Sequence, residues 1–168
     1  LGIMLHGGVI AAMGTFFVFS DCMKPAVRLA ALMQVPVKFV WTHDAFRVGE
    51  DGPTHEPVEQ EAQIRLMEKL QNHAGKDSVR VFRPADADET TVCWAMAMEN
   101  TETPTALIFS RQGIAKLPAG NDYEMARKGA YIVAGSDENP DVILVASGSE
   151  VSTLEAGTEA LRKDGIKV

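Results

Sequence analysis

The chain has 168 residues, of which 46% are hydrophobic and 23% are charged, as is ordinary for a globular protein. Sixteen Lys and Arg stand against 23 Asp and Glu, and the net charge of −7 argues against a nucleic-acid-binding surface. No apolar run reaches the roughly 18 residues of a membrane-spanning helix, and no signal-peptide pattern opens the chain.

Short apolar runs alternate with amphipathic stretches along the chain, and this alternation predicts an α/β fold. The apolar runs are nearly continuous, which favours a parallel sheet that is covered on both faces. In chain order, the predicted elements are helix 21–33, strand 37–41, helix 58–72, strand 79–82, helix 89–99, strand 105–109, strand 141–146 and helix 151–163.

The periodicity lapses after Lys116, where residues 117–128 are polar and rich in turn formers, so we predict a linker there. A predicted strand at 130–133 and the strand and helix of 141–163 then indicate the start of a second α/β domain. The chain begins at Leu1 and ends in what looks like a strand, so we expect it to be part of a longer protein.

The two cysteines, Cys22 and Cys93, are far apart in the sequence. Two such residues form no disulfide framework, and we interpret both as buried small apolar side chains. This cysteine usage fits a reducing compartment, so we predict a cytoplasmic protein.

Polar residues follow three of the predicted strands, at 42–44, 110–112 and 148–150. Ligands of open α/β sheets bind at the carboxyl ends of strands, although each position alone is more often an ordinary strand exit. The loop at 42–60 stands out because glycines and prolines restrict its backbone around two imidazoles. Two His and an Asp held on such a loop could polarise a carbonyl group and bind hydroxyls. Its ionisable residues include His43, Asp44, Glu50, Asp51, His55, Glu56 and Glu59.

A second interpretation of the same loop is a metal site. The residue types suit zinc or manganese, but their spacing matches no metal motif. We therefore predict no metal ligand in this chain and keep the metal-dependent hydrolase only as an alternative. The residues of that alternative site are His43, Asp44, Asp51 and His55.

The segment Gly49–Gln60, preceded by Thr42–Asp44, resembles the signature loop of transketolases. The match is long and specific, and other segments support it over nearly the whole chain. The supporting segments are Leu5–Gly8, Thr15–Phe19, Ala26–Met33, Pro104–Gln112 and Ala146–Val151.

The resemblance implies an enzyme that uses thiamine diphosphate and moves a two-carbon ketol unit from a ketose phosphate to an aldose phosphate. It implies a cytoplasmic homodimer of the pentose phosphate pathway, with Mg²⁺ or Ca²⁺ bound by a domain outside this chain. By the same resemblance, residues 1–116 are the later part of the pyrimidine-binding domain, 117–128 are a linker, and 129–168 open the C-terminal domain.

Particular residues match functional positions of that family. Phe16 and Phe19 match aromatic residues around the cofactor's pyrimidine ring, while Cys22 stands where the family often has Tyr. The remaining matches concern the sugar phosphate. His43 and His55 match the two catalytic histidines that bind the substrate's hydroxyl and carbonyl oxygens, Asp51 matches the Asp that accepts from a substrate hydroxyl, and Arg111 matches the phosphate-binding Arg.

The family's activating Glu falls before the equivalent of Leu1, so we expect the 168 residues alone to be inactive. Beside transketolase itself and the metal-dependent hydrolase, three further alternatives remain. The first two are related thiamine enzymes, dihydroxyacetone synthase and deoxyxylulose-phosphate synthase, of which the second usually departs from the Gly52–Pro57 pattern. The third is a non-catalytic partner module of the same fold.

Overall fold

A parallel sheet of four strands forms the framework of the structure, with strand order β1-β2-β4-β3. The computed structural model describes residues 1–44, 47–118, 123–135 and 138–168. The sheet confirms the predicted α/β class and the predicted parallel arrangement. Its strands are β1 (Ala12–Phe16), β2 (Lys38–Thr42), β3 (Arg80–Phe82) and β4 (Thr105–Ile108).

The four predicted helices are confirmed, with ends that differ from the predictions by at most three residues. Among the described residues, no helix is long and apolar enough to cross a membrane. The α-helices are α1 (Gly2–His6), α2 (Ser20–Leu32), α3 (Gln60–Lys69), α4 (Ala87–Glu99) and α5 (Glu150–Lys163), and short 3₁₀ helices occupy Phe17–Phe19, Gly49–Asp51 and Tyr123–Lys128.

β2 is an inner strand of the sheet, between β1 and β4, and holds Trp41, the largest fully buried side chain among the described residues. Phe39 and Trp41 are fully buried on one face of this strand, with their ring centroids 5.8 Å apart. The ring of Phe17 packs against Trp41, with the two ring centroids 5.7 Å apart. β4 is buried along its whole length, in keeping with its apolar residues Ala106–Ile108.

β1 was not predicted, because Ala12–Phe16 contains small residues and no clear alternation. Its Gly14 has a packing reason: a Cβ atom there would lie 3.3 Å from the Val40 carbonyl oxygen. The missing side chain therefore lets β1 lie close against β2. Because the first three residues of β1 are exposed, no hydrophobic pattern marks the strand in the sequence.

The described chain forms two compact units, one of residues 1–83 with 95–112 and one of 84–94 with 113–168. In the second unit, α5 is confirmed, but the predicted strands at 130–133 and 141–146 are wrong. A strand needs a neighbour along a ladder of backbone hydrogen bonds, and within the described residues neither segment belongs to a sheet. The N–H groups of Asp141 and Val142 donate instead to the carbonyl of Lys167. The domain boundaries at 116 and 129 stay predictions.

The cysteine interpretation is correct for Cys93 and wrong for Cys22. Cys93 is buried, and burial beside Glu89 raises the pKa of its thiol to about 12. Cys22 is exposed, because it lies in the first turn of α2 on a side that the core does not cover. Both are free thiols.

A buried lysine lies at the amino end of β2. Lys38 is 1% exposed, and its Nζ donates to the carbonyl oxygen of Asn100 at 2.7 Å, just beyond the end of α4. The Asn100 amide in turn donates to the hydroxyls of Thr103 and Thr105. Burial, helped by the charge of Arg80, lowers the pKa of Lys38 to about 8.

This buried amine makes the stability of the fold depend on pH. Between pH 8 and 10.5 the unfolded chain holds the Lys38 proton and the folded chain has lost it, so Lys38 contributes more stability as pH rises. We expect the free energy of unfolding of the parent protein, minus that of Lys38→Met, to become more positive by up to ~3 kcal/mol as pH rises across this range. Urea denaturation at both pH values measures it. Lys69→Met, which removes an exposed amine, should show no such change; an equal change in both variants would contradict the prediction.

Candidate active site

The residues singled out from the sequence meet at one edge of the sheet. Phe16 ends β1, His43 directly follows β2, and Arg111 lies three residues beyond β4. Because these strands are parallel neighbours, their carboxyl ends lie together. The loop from β2 to α3 adds Asp51 and His55 at the same edge.

Two phenylalanines and two histidines form an aromatic cluster. The rings of Phe16 and His43 stack with centroids 3.8 Å apart and planes 23° apart. His55 meets Phe16 and Phe19 edge-on, at 5.6 and 5.4 Å. Phe19 is 37% exposed, so part of its ring is available to a ligand. A flat heterocycle fits such a set of aromatic faces and edges.

A chain of charged groups runs from the cluster to Arg111. Asp51 Oδ2 lies 3.3 Å from His43 Nε2 and 2.8 Å from Arg111 Nε, so one carboxylate oxygen serves both partners. Arg111 Nη2 also lies 3.2 Å from the Glu50 carboxylate. The Arg111 side chain is 35% exposed, which leaves the guanidinium accessible to an anion. The contact with Glu50 was not predicted.

Each histidine is also fixed from its Nδ1 side. The Thr42 hydroxyl lies 2.9 Å from His43 Nδ1, and the Thr54 hydroxyl lies 2.8 Å from His55 Nδ1. These contacts orient the two rings. Among the residues that the structure describes, His55 Nε2 has no hydrogen-bond partner, so it can bind or exchange a proton with a ligand.

The loop backbone is strained at the positions that hold these groups. His43 has φ +63°, in the left-handed region that non-glycine residues seldom adopt. Gly52 has φ 74° and ψ −177°, a combination that only glycine adopts readily, and its carbonyl accepts from the His55 N–H at 3.0 Å. The predicted stiffness of the loop thus has a structural basis. The strain at His43 was not predicted, because no residue pattern announces it.

Asp44 pairs with a residue outside the predicted site. Its carboxylate is buried and pairs with Arg83, whose Nη2 lies 2.8 Å from Asp44 Oδ2. Neither Arg83 nor this pair was predicted, because the two residues are 39 positions apart. Among the described residues, no group of three or more His, Cys, Asp or Glu side chains is placed to hold a metal ion.

Comparisons with protein families place these residues in context. The family described as transketolase, pyrimidine binding domain, matches residues 1–116. The family described as transketolase-like TK C-terminal domain matches residues 129–168.

Individual relatives agree with these matches. A transketolase of Halalkalibacterium halodurans is 50% identical over 167 residues, which cover 98% of this chain and 24% of the relative. A solved transketolase from Leishmania mexicana aligns with a TM-score of 0.85 at 40% identity, over 99% of this chain and 23% of that one. A Pichia stipitis transketolase solved with sedoheptulose-7-phosphate has a TM-score of 0.81 at 40% identity, over 93% and 21%. The chain thus spans about a quarter of the length of these proteins.

Gly52 gives a test of the loop's backbone geometry. We expect Gly52→Ala to cost ~1–3 kcal/mol of stability, because a Cβ atom makes its backbone conformation unfavourable. Calorimetry of the full-length protein that contains this segment should show a lower Tm. Gly113→Ala is the control, since its φ is not positive and a Cβ atom there meets nothing within 4 Å. An unchanged Tm in Gly52→Ala would contradict the strain argument.

Proposed function

The chain belongs to the transketolase family, and we propose that it supplies the substrate-facing part of an active site that transfers a two-carbon ketol unit from a ketose phosphate to an aldose phosphate. The main support is the convergence of the predicted aromatic, imidazole, carboxylate and guanidinium groups on one sheet edge. Because the chain spans about a quarter of its relatives, the activity belongs to a longer polypeptide.

We propose that this polypeptide is a cytoplasmic homodimer of the pentose phosphate pathway. Within it, residues 1–116 belong to the pyrimidine-binding domain, 117–128 link it to the next domain, and 129–168 open the C-terminal domain. The two family matches over 1–116 and 129–168 support this division.

The aromatic cluster fits the pyrimidine part of thiamine diphosphate. Phe16 and Phe19 offer ring surfaces, and Phe19 is partly open to solvent. When bound, this cofactor supplies the nucleophilic carbon and the electron sink that ketol transfer needs. From the family resemblance, we propose that Mg²⁺ or Ca²⁺ binds residues outside this segment.

The two histidines are suited to hold and move protons at the substrate. His55 Nε2 can donate to a carbonyl oxygen or take a proton from a hydroxyl while Thr54 fixes the other ring nitrogen. His43 is oriented by Thr42 and by stacking on Phe16. Donors that are fixed before the reaction stabilise developing charge without reorganising.

Asp51 and Arg111 are suited to recognise the rest of the sugar phosphate. The ionised Asp51 carboxylate only accepts hydrogen bonds, so it selects a substrate hydroxyl. The planar Arg111 guanidinium matches a phosphate group and is partly exposed. Its distance of 2.8 Å to Asp51 places the two binding groups side by side.

A ketol-transfer assay tests the proposal. We expect the full-length protein, supplied with thiamine diphosphate and Mg²⁺, to convert a ketose phosphate and an aldose phosphate, and we expect the 168 residues alone to be inactive. His55→Ala should lower kcat by roughly 10²–10⁴-fold, because a positioned proton donor is lost. His73→Ala is the control, since His73 is exposed in the loop before β3. An inactive full-length protein would refute the proposed function.

Arg111 should set the preference for phosphorylated substrates. We expect Arg111→Met to lower kcat/KM for a phosphorylated acceptor by about 10–100-fold, the equivalent of one charged hydrogen-bonded contact of about 1.5–3 kcal/mol. The same variant should change kcat/KM for the unphosphorylated aldose much less. Arg28→Met, which removes an exposed Arg on α2, serves as the control. Equal losses on both acceptors would exclude phosphate recognition by Arg111.

A further inference from the structure

Arg83 directly follows β3 and pairs with Asp44 and Glu61, neither of which is among the six predicted site residues. We propose that Arg83 is a positioning residue that holds the backbone at Asp44 and thereby keeps His43 in the orientation that ketol transfer requires. This inference rests on the proposed function, since it assigns a purpose to the placement of His43.

The first observation is a buried ion pair in which the Arg83 Nε–H donates a hydrogen bond to Asp44. Arg83 Nε and Nη2 lie 3.0 and 2.8 Å from the same oxygen of Asp44. The two side chains are only 5% and 3% exposed, so water and salt screen them little. Arg83 Nη1 also lies 3.4 Å from Glu61 in the first turn of α3. Arg83 therefore joins the end of β2 to both β3 and α3.

The second observation is the backbone strain next to this pair. His43, the residue before Asp44, has φ +63°. Such a conformation persists only where surrounding contacts determine it. Phe16, Thr42 and Asp51 restrain the imidazole ring. The bond from Asp44 to Arg83 instead restrains the chain directly after the strained residue.

The ion pair and the backbone strain lie on neighbouring residues of one short segment. Without Arg83, the Asp44 carboxylate is a buried charge with a principal partner removed, which is strongly unfavourable. The carboxylate then moves toward water, and the backbone of His43 is released with it. A reacting group displaced by about 1 Å can lose about 100-fold in rate. Arg83 therefore acts on the reaction through geometry and not through contact with substrate.

The test uses the full-length protein with Arg83→Gln. We expect kcat to fall by about 100-fold, while KM for the acceptor changes by less than about threefold, because substrate contacts remain. We expect amide hydrogen exchange of the peptide that spans residues 42–52 to become at least about tenfold faster, because local opening becomes easier. The double variant Asp44→Asn with Arg83→Gln, a neutral hydrogen-bonding pair, should regain at least about tenfold in kcat.

Arg65→Gln is the matched control. Arg65 also pairs with Glu61 and bonds the β3 backbone at Val81, but the structure gives it no contact with Asp44. It should change stability without changing kcat or exchange at 42–52. Should Arg83→Gln fail to fold, Arg83→Lys keeps the charge but loses the planar fork, and it should show the same faster exchange with a smaller loss of kcat.

The outcomes separate this inference from the proposed function. Unchanged exchange at 42–52, unchanged kcat in Arg83→Gln, or equal effects in Arg65→Gln would each overturn the role of Arg83. An inactive parent protein would refute the proposed function, and the exchange comparison would still decide whether Arg83 holds the segment at His43.

Discussion

The backbone hydrogen bonds that join β1, β2 and β4 determine where the candidate site can lie. These strands are parallel and in register, from Ala12 beside Lys38 to Trp41 beside Ile108. Parallel neighbours end at one edge, so the residues that follow them must meet there. Phe16, His43 and Arg111 owe their proximity to this arrangement, although the two most distant are 95 residues apart in sequence.

The two edges of this sheet hold polar groups in different ways. At the amino edge, the buried Lys38 amine donates to the carbonyl oxygen of Asn100, and the Asn100 side-chain amide donates to the hydroxyls of Thr103 and Thr105. At the carboxyl edge, Asp51, Arg111 and Phe19 remain partly exposed. A satisfied buried network fixes the positions of elements, whereas half-exposed groups keep bonding capacity for a ligand. The amino edge therefore holds a buried network, whereas the carboxyl edge combines the buried pair of Asp44 and Arg83 with groups that are open to a ligand.

Much of this could be predicted from the sequence. The strands β2, β3 and β4 are marked by apolar runs, and the loop around His43 and His55 by its glycines, prolines and charges. β1 could not be predicted, because its packing depends on the absence of a side chain at Gly14. The strands expected at 130–133 and 141–146 were wrong because an apolar run forms a strand only beside a hydrogen-bonded partner.

The contacts that could not be predicted are long-range and pairwise. Glu50 with Arg111, and Asp44 with Arg83, join residues 61 and 39 positions apart. No local pattern encodes such a pair, because each partner alone resembles an ordinary surface charge. Asp44 is a metal ligand in the alternative interpretation of the loop, but in the structure it is buried and pairs with Arg83.

The left-handed backbone at His43 places opposing demands on one position. Glycine or asparagine would suit the backbone better, and only histidine supplies the imidazole. A designer who transplants this site to another scaffold could not copy the ligand-facing residues alone, because an isolated loop would relax to an ordinary conformation. The stacking ring of Phe16 and the buried pair of Asp44 and Arg83 would have to be transplanted with it. The smallest set of residues that must be transplanted together is consequently larger than the set that contacts the substrate.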